Sequence, residues 1–112
     1  MSQSNFEAYS RALELNTALR PLVAKLHRSD RREAAQLKEA AKSVVRNLAE
    51  GNRRLGRDRR HLFSVAAGSA DEVRAGLHTS LAWGELHEQE TKPALELVDR
   101  VLAITYRLIH PR

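Results

Sequence analysis

Long stretches of this sequence place apolar residues three or four positions apart with little to interrupt them, and that spacing commits the chain to helices. The row Leu62, Ala66, Ala70, Val73, Leu77 and Leu81 marks one helical face, and Leu37, Ala41, Val44 and Leu48 mark another. Leu and Ala dominate the apolar residues, β-branched residues are sparse, and only five Gly and three Pro punctuate 112 positions. Those proportions favour helix over strand. The length suits a single domain over residues 1–112, so the expected fold class is all-α, an up-down antiparallel four-helix bundle.

The periodicity predicts helix 1 from about Phe6 to Leu26, through Tyr9, Leu13, Leu19, Leu22, Val23 and Leu26. Pro21 predicts a kink or break in it, because proline removes a helical hydrogen bond and crowds the preceding turn. Ser29-Asp30 offers a cap for helix 2, which is expected from Arg31 to Gly51 with Gly51 as a left-handed C-cap. Helix 3 is expected from Asp58, as N-cap, to His87. Its run Ala66-Ala67-Gly68-Ser69-Ala70 invites close approach of another helix, and Gly68 and Gly76 are expected to mark crowded contacts. A connection around Glu88 to Lys92 leads to helix 4, with Thr91 as N-cap and Pro93 in the first turn.

Helix 4 carries two apolar rows, Leu97, Val101, Ile104 and Leu108 beside Leu95, Val98, Leu102 and Ile109. That stripe is wider than one bundle core needs, which points to burial of Leu97, Val101, Ile104 and Leu108 against another copy of the chain. Trp83 and Leu86 are candidates for the same surface.

Charge is concentrated between helices 2 and 3. Residues 53–60 hold five arginines and one aspartate, in a chain of formal net charge +5 and pI near 10.2. On helix 2, Lys38, Lys42 and Arg46 recur every four residues and lead toward Arg53. With Arg54, Arg57, Arg59 and Arg60 they form a candidate continuous surface for phosphate oxygens, should the turn fold back beside helix 2. Phe63 is the nearest aromatic and is expected to pack inside. Contact with RNA or DNA is therefore expected at the backbone, with little sequence preference.

Other chemistries lack their residues. There is no cysteine for a disulfide, thiolate metal site or Cys nucleophile. A di-iron bundle needs Glu-x-x-His pairs, and only His61 has an acid three residues earlier, Asp58, read here as a cap beside a surface histidine. Ser43, Ser64, Ser69, Thr79 and Ser80 lie mid-helix without an activating motif, and no phosphate-cradling loop is present. Asn47 and Glu50 are read as a buried polar contact one turn apart. No enzymatic activity, cofactor or metal is expected. No apolar run reaches the roughly 18 residues that span a bilayer, and Met1-Ser2-Gln3-Ser4 leads into a polar helix, so no membrane association and a cytoplasmic location are expected.

The order Leu37-Lys38-Glu39-Ala40-Ala41-Lys42-Ser43-Val44-Val45-Arg46-Asn47-Leu48-Ala49-Glu50-Gly51, followed by Ala66-Ala67-Gly68-Ser69-Ala70-Asp71-Glu72-Val73, resembles a bacterial four-helix-bundle family. It is the family named for proteins encoded in intervening sequences of large-subunit ribosomal RNA genes. Val45 stands where that family often has proline, and Arg46 where it has a small residue. The resemblance implies a homo-oligomeric ring, commonly a pentamer. It also implies kinship with the accessory variability proteins of diversity-generating retroelements, which associate with nucleic acid and a reverse transcriptase. Two functional expectations follow: a non-enzymatic oligomeric protein that binds RNA or DNA backbone as an accessory factor, or a protein-interaction scaffold with no direct nucleic-acid role.

Overall fold

The structure, a computed structural model, describes residues 2–111; Met1 of the polar leader and Arg112, the last residue of the expected domain, lie outside the described residues. The chain forms four helices in succession: α1 (Gln3–Ser29), α2 (Arg31–Asn52), α3 (Gly56–Ala82) and α4 (Glu88–Ile109). Each helix packs on its two neighbours in a closed cycle, α1 on α2 and α4, α3 on α2 and α4. Two ion pairs fix the α1–α4 direction, Arg100 with Glu7 at 2.7 Å and Lys25 with Glu90 at 2.6 Å. Rising numbers on α1 meet falling numbers on α4, so the neighbours run antiparallel.

Local chemistry sets most helix ends. The Ser2 hydroxyl accepts from the Asn5 N–H at 3.2 Å and starts α1. Asp30 serves two helices: its N–H donates to the Leu26 carbonyl at 2.7 Å, and its carboxylate accepts from the Glu33 N–H at 3.0 Å. A single residue therefore turns the chain between α1 and α2.

The expected interruption at Pro21 is corrected, since α1 continues through it without a break, and Pro93, expected in the first turn of helix 4, lies beyond that turn because α4 starts at Glu88. Both prolines are exposed, so the carbonyl that each deprives of a helical donor lies on the wet side of the bundle.

The boundary between α3 and α4 also differs from expectation. α3 stops at Ala82, five residues before His87, because the Ser80 carbonyl accepts from the Glu85 and Leu86 N–H groups at 2.9 and 3.3 Å. Gly84, at φ +70°, supplies the left-handed backbone this turn requires. Leu86 then tucks into the core at 1% exposure and so is not part of an outer surface. His87, not Thr91, is the N-cap of α4, with its N–H donating to the Glu90 carboxylate at 2.8 Å. Thr91 is fully buried a turn later and donates to the His87 carbonyl at 3.0 Å. Likewise Leu55, not Asp58, is the N-cap of α3; Asp58 lies in the first turn.

The core joins all four helices through Leu15, Leu19, Leu37, Val44, Val73 and Val98 among others. Leu37, Ala41, Val44 and Leu48 are all buried as their spacing requires, whereas Leu13 on α1 is 45% exposed. On α4 the expected subunit interface is corrected in part. Val101 and Ile104 are 0% and 1% exposed inside the bundle, so they are spent on the chain's own core. Leu97 and Leu108 pack against that core from one side of α4, and Leu95, Leu102 and Ile109 from the other. The wide stripe is used in part by the two neighbours of α4, α1 and α3. Of the expected interface set, Trp83 alone is largely exposed, at 78%.

Gly51 is the principal correction on α2. It lies within the helix, which ends at Asn52 with Arg53 as cap in ordinary right-handed geometry, φ −90°. A methyl group at Gly51 would sit 2.7 Å from Phe63 Cε1 and 2.8 Å from Cδ1. The glycine is there to admit the buried Phe63 ring of α3, not to reverse the chain. Gly76 meets Leu37 in the same manner at 3.3 Å, but Gly68 faces open space and marks no crowded contact. Between these approaches the Ser43 and Ser69 hydroxyls meet at 2.8 Å across α2 and α3.

Candidate nucleic-acid interface

The outward face of α2 is set by its inward one. With Leu37, Ala41, Val44 and Leu48 fixed in the core, the remaining phases put Arg31, Lys38, Lys42, Arg46 and Arg53 on the solvent side, and all five are exposed. At 3.6 residues per turn these positions fall within about 80° of one another, along a helix roughly 33 Å long. Successive four-residue steps raise the cation by about 6 Å.

The eight basic residues singled out by the sequence do not form one uniform surface. Lys38 and Lys42 line a groove between α1 and α2. Arg46 lies outward and pairs with Glu39 at 2.7 Å, with both side chains more than half exposed. Such a pair contributes little to stability and can be exchanged for a ligand phosphate.

At the corner, Arg54 donates through Nε and Nη2 to the Glu50 carboxylate at 3.2 and 2.7 Å, and Arg53 lies 4.0 Å from the same group. The hydrogen bond from Arg54, then its charge, hold the Glu50 carboxyl below the usual glutamate range. Glu50 therefore belongs to the arginines. The expected Asn47–Glu50 contact is replaced by one in which Asn47 donates to the Ser43 carbonyl and hydroxyl at 2.9 and 3.0 Å.

Arg59 has a structural position. Its Nε donates to the Gly51 carbonyl at 3.1 Å and its Nη2 to the Asn52 carbonyl at 3.0 Å. Those carbonyls lie at the end of α2, where the Gly51 carbonyl also accepts from the Arg54 N–H at 3.1 Å, and a guanidinium fork supplies further donors and positive charge where the helix terminus is negative. Arg59 is thus a clamp between α2 and α3. Behind it the Asn52 side-chain amide is shielded from solvent and has no hydrogen-bond partner among the described residues.

Arg57 and Arg60 are exposed near the start of α3. Among the described residues, Lys38, Lys42, Arg57 and Arg60 form no ion pair. Phe63 is 1% exposed beneath the corner, so no ring there is offered to a base. The corner and the α2 face together provide cations in ordered positions, suited to phosphate oxygens and unsuited to reading base edges.

Sequence reasoning did not find the clamp role of Arg59, which its neighbours in an arginine-rich run conceal. It also missed Arg31, whose phase on α2 was available from the core row. No three His, Cys, Asp or Glu side chains gather as a metal-holding group among the described residues. Among the same residues, no helix is long and apolar enough to cross a membrane.

A sequence model of the family described as 23S rRNA-intervening sequence protein matches residues 4–107. A search of the curated proteins gives no match. Among solved structures, the chain is similar to a protein of unknown function from the S23 ribosomal protein family of Bacteroides thetaiotaomicron VPI-5482. The TM-score is 0.84 at 14% sequence identity, covering 92% of this chain and 98% of that one. At that identity the likeness is one of fold.

Proposed function

The chain belongs to the 23S rRNA-intervening sequence protein family, and we propose that it is a non-catalytic cytoplasmic protein that binds the backbone of RNA or DNA along the outer face of α2 and around the α2–α3 corner. The observation that carries this reading is the set Lys38, Lys42, Arg57 and Arg60, exposed and free of ion pairs among the described residues, continued by Arg53, 4.0 Å from Glu50, and by the exposed, paired Arg46 and Arg54. Counterion release on meeting such a strip supplies affinity without sequence preference. The homo-oligomeric ring, with a pentamer favoured, and the reverse-transcriptase partner, both implied by the family resemblance, belong to the same proposal. With Val101 and Ile104 inside the bundle, assembly has to use other surfaces, and Trp83 is among those exposed.

The test is fluorescence anisotropy of a labelled single-stranded RNA, titrated with the full chain at several salt concentrations. Replacing Lys38, Lys42, Arg57 and Arg60 together by Gln should reduce the slope of log affinity against log salt by about 3, at about 0.7 for each phosphate left without its cation. An unchanged slope and affinity would remove nucleic-acid backbone as the ligand. Arg59 is kept in that variant because its loss would loosen the corner itself.

A further inference from the structure

An open groove about 810 Å³ in volume, predominantly apolar in its lining, runs between α1 and α2. Its floor and walls include Leu19, Pro21, Val23, Ala24 and Ala41, and Arg20, Lys38 and Lys42 stand along it. None of these three cations forms an ion pair among the described residues, and no acidic side chain lines the groove. The depressions between α2 and α3 are different in kind, since Glu33, Glu39 and Glu72 line them. The two sides of α2 therefore present opposite preferences to a charged partner.

A third feature of the groove is a backbone acceptor. Pro21 has no N–H, so the Thr17 carbonyl lacks its intrahelical donor, and both residues line the groove. Asn16 spans the base, donating through one amide nitrogen to the Ala12 carbonyl at 2.8 Å and the Ala41 carbonyl at 3.0 Å, which holds the two walls together.

We propose that the groove between α1 and α2 is a docking site for an acidic amphipathic helix of a partner protein, its apolar side chains on Val23 and Ala24 and its carboxylates against Arg20, Lys38 and Lys42. This is the helix-in-groove mode, in which one apolar face at i, i+3, i+4 and i+7 is buried and flanking charges set orientation. A nucleic-acid strand fits the groove less well. Phosphodiesters would use the cations and leave the apolar floor wet, and no Phe, Tyr or Trp lines the groove, only the single imidazole of His27. The Thr17 carbonyl is open to a side-chain donor of the partner helix or to a free N–H of its first turn.

The proposal stands apart from the nucleic-acid reading, although Lys38 and Lys42 border both surfaces, so its test turns on Ala24. Ala24 is exposed within α1 and lines the groove, and Ala24→Glu places bulk and negative charge there without burying either. The probe is a library of random 16-residue peptides displayed on phage, selected against the full chain, with the enriched peptides synthesised and measured by anisotropy. Selection should enrich peptides with acidic residues flanking apolar ones at helical spacing. Ala24→Glu and the double variant Lys38→Glu/Lys42→Glu should each weaken their binding at least tenfold, while Arg57→Gln/Arg60→Gln changes it less than twofold. Failure to enrich such peptides, or binding indifferent to Ala24→Glu, overturns the proposal. So does loss of RNA affinity on Ala24→Glu with no peptide selected, which would assign the groove to nucleic acid. A fall in the light-scattering mass of the Ala24→Glu protein with no peptide selected would assign it to a second copy of the chain.

Discussion

Replacing Gly51 by alanine sets two opposed effects against each other at one atom. Ala is the better helix former, and in an exposed helix interior the exchange gains about 0.5–1 kcal/mol. At Gly51 the new methyl would lie 2.7 Å from Phe63 Cε1, where ordinary van der Waals contact begins at 3.4 Å. The ring is 1% exposed and cannot swing into solvent, so either it or a helix must move. Overpacking of this kind costs about 1–3 kcal/mol, and the expected net result is a loss of about 1–2 kcal/mol. Urea unfolding followed by circular dichroism measures it. The decisive comparison is the double-mutant cycle with Phe63→Leu, which removes the obstructing ring edge. In that background Gly51→Ala should become neutral or mildly stabilising, giving a coupling of about 1–2 kcal/mol between the two sites. If Gly51→Ala costs the same with either residue at position 63, the ring is not the reason for the glycine and the packing account fails.

Gly68→Ala serves as the contrasting case: with nothing within 4 Å of the added methyl, it should stabilise the protein by about 0.5–1 kcal/mol in the same assay. Arg59→Ala should lower stability by about 1–3 kcal/mol through loss of two charge-assisted hydrogen bonds to the end of α2, whereas Arg57→Ala should leave the unfolding midpoint nearly unchanged. Ile104→Ala should cost about 2–5 kcal/mol by opening a core cavity without altering the mass measured by light scattering; a change in mass would return Ile104 to an interface. The Glu90 carboxyl is held below the ordinary value of 4.5 chiefly by its hydrogen bond from Lys25, then by the His87 N–H. Its contribution is therefore complete above the unfolded glutamate range and lost as pH falls through the lowered folded value. Glu90→Gln should flatten the acid limb of stability against pH and leave an identical acid limb only if the Lys25 contact is inconsequential.

The helices were legible because apolar spacing is a local signal. Ala66, Ala70, Val73 and Leu77 on α3 are all buried as their phase demands. Helix ends that depend on residues far apart in the chain were less legible. Gly51 followed by a polar run reads as a helix stop, and only the ring of Phe63, twelve positions on, explains why a glycine is needed inside the helix. The start of α4 had a readable sign in Glu90 three residues after His87, but histidine is a weak cap and Thr91-x-Pro93 competed with it. In the candidate site, the identities of the cations were legible and their division was not. Arginine forks that clamp a helix end, neutralise a neighbouring glutamate or stand free look alike in a sequence, and only geometry separates Arg59 from Arg57.

The meeting of the Ser43 and Ser69 hydroxyls between α2 and α3 bears on which arrangement the two helices can adopt, more than on how tightly they adhere. The surfaces around it are small and smooth: Ala40 on one helix, Ala66 and Ala70 on the other. Smooth surfaces of that kind would permit sliding by one helical turn, about 5.4 Å, with modest change in apolar contact. Such a slip would separate the two hydroxyls, breaking the bond between them and leaving Ser43 only its contact with Asn47 of the same helix, and would drive Phe63 off the gap at Gly51. The serine pair and the glycine notch act as a key and a stop along the same seam. They select one alignment among several of comparable greasiness, and with it the phase at which the α2 cations meet those of the corner.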